Sequence, residues 1–443
     1  MEYIDRFKKV VVLGAAGKMG SGILLLTAME MTDLWLHNKN SEMDLIALDM
    51  SPKGLKSLIK YIEAQARRAA EKKTVMLREL YADRKDLIEN GEIIEAYVAD
   101  VIGMVRTTTH MEDAYGASLV FEAIKEDPKL KVSILSSLSR EGQGQTWFFT
   151  NTSSIPIGEL DSSAELDGNI LGFHFYNPPA VQRLVELIPA ETSRPELIEF
   201  AKIYAKKLRK VLVPSSDFAG FIGNGHFMRD ALYGINQAEK MSGQYPLHEA
   251  IYLFNSITQI WLVRPMGIFQ LIDYVGVVVV SYIMNVMNPY LPDEHLHSEL
   301  LEEYLNQGVK GGQYADGSQK DGIFKYDRGR IVGVYSFETG DYVSLESFKN
   351  KIDNELGEVP QKLKWKDVNF SQQKTEILKS YFSDLMNSDT RGAGLAKAYG
   401  LESKRIAELL VASKVVASND DVNKVLATGF YHAYGPVNEY FNN

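Results

Sequence analysis

The chain has 443 residues, 45% of them hydrophobic and 24% charged, which at about 150 residues per domain predicts three domains, or two with one enlarged. Its 48 Lys and Arg against 58 Asp and Glu leave a net charge of −10, a balance that argues against nucleic-acid or anionic-membrane partners, which need a clustered basic field. The absence of cysteine excludes disulfides, thiolate metal sites and a cysteine nucleophile, and it fits a reducing compartment.

The opening residues carry neither a basic-plus-apolar leader nor an Arg-rich transit segment, so a cytoplasmic location is expected. Strand-like apolar runs then recur at Lys9–Leu13, Asp44–Leu48, Ser118–Ala123, Thr146–Thr150, Asn169–Phe175 and Arg183–Ile188. Helical patterns such as Pro128 to Leu138 lie between them, which predicts an α/β, Rossmann-type doubly wound sheet over residues 1–213. Between residues 52 and 95 the strand signal gives way to Lys, Arg, Glu, Ala and Leu, the mark of an inserted helical arm. After Ser216 helical periods dominate at Gly223–Ala238, Leu247–Val263, Phe269–Met287 and Ser298–Gln307. The greasiest stretch, Tyr274 to Met284, is far short of the roughly 20 residues that span a bilayer. A glycine-rich region, 308–321, precedes a hairpin-like run from Tyr326 to Val343, and 371–443 is helical again. The expected division is therefore 1–213, then all-α C-terminal domains at 214–326 and 327–443.

Gly14-Ala15-Ala16-Gly17-Lys18-Met19-Gly20 follows the first strand and opens the first helix, the context a dinucleotide turn requires. The helix N-terminus then offers free N–H groups to a pyrophosphate. Asp49 ends the second strand, where a carboxylate accepts from an adenosine ribose and repels a 2′-phosphate, favouring NAD over NADP. His295 and His297 lie in an acidic stretch without a clear third ligand, so no metal site is expected. His174 stands at the end of an apolar run before Asn177-Pro178-Pro179. If the prolines turn the chain back, Glu186 faces it, and a carboxylate-fixed imidazole is a competent general base.

These residues resemble the 3-hydroxyacyl-CoA dehydrogenase family over roughly 8–326. Besides the glycine turn, the blocks are Phe121-Glu122-Ala123-Ile124-Lys125-Glu126-Asp127, Asn151-Thr152-Ser153-Ser154, His174 to Pro178 running to Glu186, Gly220-Phe221-Ile222-Gly223-Asn224, and Pro265-Met266-Gly267 running to Gly276. The resemblance implies that His174 takes the proton of the 3-hydroxyl, oriented by Glu186, while NAD takes the hydride. It places Ser153 and Asn224 near the reacting oxygen and the thioester, and Glu126, Lys131 and Asn151 beside the cofactor with Gly14, Gly17, Lys18, Met19 and Gly20. The helical arm of the family binds coenzyme A, which directs attention to Arg67, Arg68, Lys72 and Lys73. Gly225 after Asn224, Ala219 and the run Val277-Val278-Val279 depart from the usual pattern and leave the acyl chain length open.

The expected role is NAD-dependent oxidation in fatty acid metabolism and β-oxidation, acting on an acyl-CoA thioester. The alternatives are a dehydrogenase of a non-CoA hydroxy acid and a non-catalytic binding relative. Arg264-Pro265-Met266-Gly267-Ile268-Phe269 is echoed by His432-Ala433-Tyr434-Gly435-Pro436-Val437. That echo points to a degenerate repeat of the helical domain, hence a monomer with an internal pseudo-dimer, or otherwise a homodimer.

Overall fold

The run Lys9–Leu13 forms strand β1, with Val10 to Leu13 all buried. A strand covered on both faces reads as a continuous apolar run, which is why these strands stand out in the sequence. The computed structural model describes residues 3–314 and 317–441 and divides into two compact units, 1–217 and 218–443.

In the first unit β1 joins β2 (Asp44–Leu48), β3 (Val105–Thr108), β4 (Leu119–Glu122), β5 (Trp147–Thr150), β6 (Ile170–Phe175), β7 (Leu184–Pro189) and β8 (Val211–Pro214). The order across the sheet is β3-β2-β1-β4-β5-β6-β7-β8. The first six run parallel, β7 turns antiparallel to β6, and β8 is parallel to β7. Six of these strands are legible as apolar runs. The two that are not, β3 and β8, close the two edges. Arg106 and Thr107 of β3 are exposed, and β8 is four residues ending in proline. Edge strands bury less and signal less.

The helices of this unit are α1 (Lys18–His37), α2 (Pro52–Glu71), α3 (Thr74–Leu80), α4 (Asn90–Gly103), α5 (Pro128–Glu141), α6 (Ile157–Ala164) and α7 (Pro195–Lys207). The long α1 accounts for the wide spacing between the glycine turn and Asp49. The arm is α2 to α4, and its helices run to Gly103, beyond the expected 95. Ser51 caps α2 by accepting from Gly54 N–H at 3.0 Å, and Pro52 sets its first turn. Leu55, Leu58, Ile62, Ala66 and Ala70 form the buried stripe of α2.

The second unit holds α8 (Gly223–Met241), α9 (Leu247–Ser256), α10 (Ile268–Val275), α11 (Val277–Met287) and α12 (Glu299–Asn306). It continues with α13 (Lys349–Leu356), α14 (Trp365–Asn369), α15 (Lys374–Asn387), α16 (Arg391–Ala412) and α17 (Asn419–Gly429). Between α12 and α13 an antiparallel three-stranded sheet, β9 (Phe324–Asp327), β10 (Arg330–Ser336) and β11 (Asp341–Ser344), replaces the expected hairpin, so the region is not purely helical.

Two expectations are corrected here. The single helix expected over Phe269–Met287 is broken at Gly276, whose φ of 107° ends α10 and lets α11 leave at 91°. Nor does residue 327 bound a compact unit, because one hydrophobic core runs from Ala219 to Phe441. Residues on both sides of 327 complete each other. Arg264 Nη1 donates to Asp230 at 2.7 Å and its Nη2 to Ser403 Oγ at 3.0 Å, all three side chains being buried. Tyr399 donates to the Asp230 carbonyl at 2.8 Å, and a Cβ at Gly234 would stand 3.1 Å from the Tyr399 hydroxyl. Among the described residues no single helix is long and apolar enough to cross a membrane.

Candidate active site

Antiparallel pairing of β6 with β7 sets His174 directly across from Glu186. Directly opposed residues on one face of a sheet are within side-chain reach, and His174 Nδ1 lies 2.8 Å from Glu186 Oε2. Glu186 is fully buried and His174 is 8% exposed. A proton on Nδ1 would point at the carboxylate, and proton acceptance would then fall to Nε2. Tyr176, two residues beyond His174, donates to the same Glu186 oxygen at 3.0 Å. Its hydroxyl was not among the residues the sequence pattern singled out. A tyrosine so near the base, on the same side of the strand, was the available signal.

The carboxyl ends of the parallel strands carry the rest. Asn151, just past β5, accepts the Phe175 N–H on Oδ1 at 2.8 Å, tying the segment after β5 to the His174 strand. Glu126 Oε1 accepts from Thr152 Oγ1 at 2.5 Å, Ser153 N–H at 3.1 Å and Ser154 Oγ at 3.0 Å. One carboxylate thereby shapes the whole Asn151–Ser154 turn. Lys131 is 1% exposed, and its ammonium sits 2.7 Å from Glu122 and 3.1 Å from Glu126. Burial alone would lower its pKa, but the two carboxylates outweigh that and hold it above its ordinary value. Its charge is engaged inside this triad, where it orients Glu126. Glu122, fully buried and also bound by Thr150 Oγ1 at 2.6 Å, is the partner that sequence reasoning missed.

Gly14 has φ of 71°, and a Cβ there would meet the Ala123 carbonyl oxygen at 2.5 Å. At Gly20 a Cβ would meet the Gly14 oxygen at 2.0 Å, so helix and turn close only on glycine. Gly17 and Lys18 are exposed at the start of α1, which has no side-chain cap. A helix start without a side-chain cap and with an open approach fits a pyrophosphate, and half-buried Met19 lies beside it. Asp49 accepts the Ala16 N–H on Oδ2 at 3.0 Å and the Ser51 N–H on Oδ1 at 2.9 Å. The residues present thus fit a dinucleotide.

A profile described as 3-hydroxyacyl-CoA dehydrogenase, NAD binding domain, matches residues 9–218, and one described as the C-terminal domain of the same enzymes matches 257–321. The chain belongs to the 3-hydroxyacyl-CoA dehydrogenase family. NAD is the cofactor of the domain so matched. The chain is 28% identical over 307 residues to the probable 3-hydroxybutyryl-CoA dehydrogenase of Bacillus subtilis, covering 68% of this chain and 94% of that one. It is 26% identical over 346 residues to a fatty acid oxidation complex subunit alpha of Shewanella sp. (strain MR-7), covering 76% of this chain but only 43% of that protein. Among solved structures, 3-hydroxybutyryl-CoA dehydrogenase from Escherichia coli K12 superposes with a TM-score of 0.63 at 20% identity, over 97% of this chain and 90% of that one. That likeness is one of fold.

The remaining residues that the family resemblance points to fall in two places. Asn224 lies in the second unit, at the start of α8, after Gly220 with φ of 82°. On the arm, Arg67 is taken up by Glu63 at 3.4 Å and by Glu95 of α4, and half-buried Lys73 by Asp33 at 3.0 Å. Arg67 thus already has two carboxylate partners within the arm. Arg68 and Lys72 remain exposed, in line with Lys53, Lys56 and Lys60 along α2.

Proposed function

We propose that this chain interconverts 3-hydroxyacyl-CoA and 3-ketoacyl-CoA with His174 as the general base and Glu186 as the group that orients it. The observation that carries the reading is the 2.8 Å pair of His174 with fully buried Glu186 at the carboxyl ends of the sheet strands. Outside those ends is where open α/β sheets bind their ligands. In the oxidising direction His174 Nε2 takes the proton of the 3-hydroxyl, and Glu186 stabilises the imidazolium that results. In the reducing direction the same imidazolium returns the proton. NAD, when bound, supplies the hydride acceptor, and the glycine turn, Asp49 and the Glu126-ordered turn would hold it. Ser153 and Asn224 are assigned to the substrate's polar groups. Arg68 on α2 and Lys72 at its C-terminal cap are assigned to the phosphates of coenzyme A, whose charge an acidic chain must meet locally.

The relatives named 3-hydroxybutyryl-CoA dehydrogenases favour a short acyl chain. An NADH absorbance assay with acetoacetyl-CoA and with longer 3-ketoacyl-CoA thioesters tests the reading. Oxidation of NADH that depends on the thioester is expected, strongest with the short one. No turnover with any of them, against activity on a free hydroxy acid, would transfer the site to a non-CoA substrate.

The same reading takes residues 327–443 as a degenerate copy of the dehydrogenase helical domain, with the echo carried by the helices near the C-terminus. Asn255 Oδ1 accepts the Gln270 N–H at 2.9 Å and packs against Gly267; Asn423 Oδ1 accepts the Val437 N–H at 3.0 Å and packs against Gly435. The asparagine precedes its glycine by the same spacing in both, at the end of α9 and within α17. Packing α16 on α8 covers within one chain an apolar face that otherwise pairs between subunits. Light scattering should find a monomer for the intact chain and a dimer or aggregate for a chain ending at 326. An intact dimer whose assembly and activity survive that cut would refute the copy.

A further inference from the structure

Tyr176 lies just past the end of β6, with its ring centroid 4.9 Å from that of His174 and an interplanar angle of 43°. Its hydroxyl and His174 Nδ1 converge on one oxygen, Glu186 Oε2, at 3.0 and 2.8 Å. A carboxylate oxygen has room for two donors, and each donor withdraws charge that the other would otherwise feel. We infer that Tyr176 is a positioning residue that sets the strength of the Glu186 pull on the His174 imidazolium, and with it the pH at which the base works.

Burial first, and Glu186 next, hold the Tyr176 phenol well above its ordinary range, so it remains a donor throughout the working range. Several ionisable groups on neighbouring elements are already engaged, among them Asp161 of α6, which accepts the Gly168 N–H at 3.0 Å. On the β4 and α5 side Glu122, Glu126 and Lys131 are paired with one another. On the β8 side the Lys210 ammonium donates to the Pro179 and Gln182 carbonyls at 2.5 Å each, with Arg183 nearby. Tyr176 is a neutral donor that shares this carboxylate oxygen with the base. Removing its hydroxyl returns that charge to the imidazolium and favours the protonated base.

The inference rests on His174 as proton acceptor, which is tested apart from it: if His174→Gln keeps full turnover, the base assignment fails and Tyr176 has nothing to tune. With that assignment standing, kcat/KM for 3-hydroxybutyryl-CoA oxidation is measured against pH in the wild type and in Tyr176→Phe. The acidic limb should move upward by about half a pH unit, as expected when one hydrogen bond to the partner carboxylate is lost. In a Glu186→Gln background, Tyr176→Phe should leave that limb where it was. Replacement of tyrosine by 3-fluorotyrosine, a stronger donor, should move it downward and serves if Tyr176→Phe fails to fold. An unmoved limb in the folded Phe variant, or the same shift without Glu186, would overturn the role.

Discussion

Two carboxylates, Glu186 in the first unit and Asp273 in the second, are both fully buried, yet they are satisfied in different ways. Glu186 faces an imidazole and a phenol that lie 12 and 10 residues away in sequence. Among the described residues Asp273 has no ion-pair partner. It accepts the Ile323 N–H at 2.6 Å, the Phe324 N–H at 2.8 Å and the Tyr326 hydroxyl at 3.0 Å. Those partners come 50 to 53 residues later, and they pin the start of β9 beside α10. Burial pushes the Asp273 carboxyl up to about 7 despite these donors. A buried acid beside a titratable base is equipped for proton transfer, whereas one beside fixed donors is a structural clasp.

The largest effect that separates the two is on turnover. His174→Gln should lower kcat by at least about a hundredfold, the low end of what general acid–base catalysis contributes, with NAD binding by fluorescence titration nearly unchanged. Glu186→Gln should lower kcat by a smaller factor, because the amide still accepts from Nδ1 but brings no charge to the imidazolium. Asp273→Asn should leave kcat per folded molecule as it is. A turnover defect in Asp273→Asn as deep as that of Glu186→Gln would erase the distinction.

Stability should show the reverse order. An asparagine at 273 places an N–H₂ where the carboxylate accepted, so at least one donor among Ile323, Phe324 and Tyr326 loses its partner. A cost of roughly 1–3 kcal/mol follows, read as a lower urea midpoint. The pH dependence sharpens this. The carboxyl titrates at about 7 in the folded chain against an ordinary 3.8, so the folded state binds its proton more tightly than the unfolded chain does. The stabilisation from that proton is full below about pH 3.8 and is lost as pH rises through about 7. Urea midpoints of the wild type should therefore contain a falling component over that window that Asp273→Asn lacks. Equal pH slopes in the two proteins would show that the carboxylate is ionised throughout.

The contrast also explains what could be read from the sequence. His174 and Glu186 were legible because an antiparallel turn at the prolines fixes their register locally, and a short separation leaves few alternatives. The glycine turn was legible because its spacing is a steric requirement of one strand and one helix. Asp273 was visible only within a motif, since its donors lie beyond a glycine-rich stretch and nothing local announces them. The pairing of Arg67 with Glu95 has no local mark because Glu95 belongs to another helix of the arm. Residue 327 looked like a boundary because composition changes there, while the packing of Tyr399 and Ser403 against Asp230 and Arg264 has no local mark.

Asp49 stands between the two extremes and gives the smallest predicted effect. It is half-buried, and each of its oxygens accepts one backbone N–H, from Ala16 of the glycine turn and from Ser51 at the cap of α2. Like Asp273 it is a clasp, yet it is half-buried, and a carboxylate that accepts two N–H groups keeps lone pairs for ribose hydroxyls. Its negative charge also disfavours a 2′-phosphate at that place. Asp49→Ala removes both effects at once, so KM for NADH should rise while KM for NADPH falls or holds. The preference for NADH should narrow by about tenfold or less, on the order of 1 kcal/mol for a partly exposed hydrogen-bonding carboxylate. The two cofactors are compared with acetoacetyl-CoA held constant, and a urea midpoint is taken on the same sample. If the midpoint falls while the cofactor ratio stays fixed, Asp49 belongs with Asp273 as a clasp alone. If the wild type already works better with NADPH, its charge does not face the ribose at all.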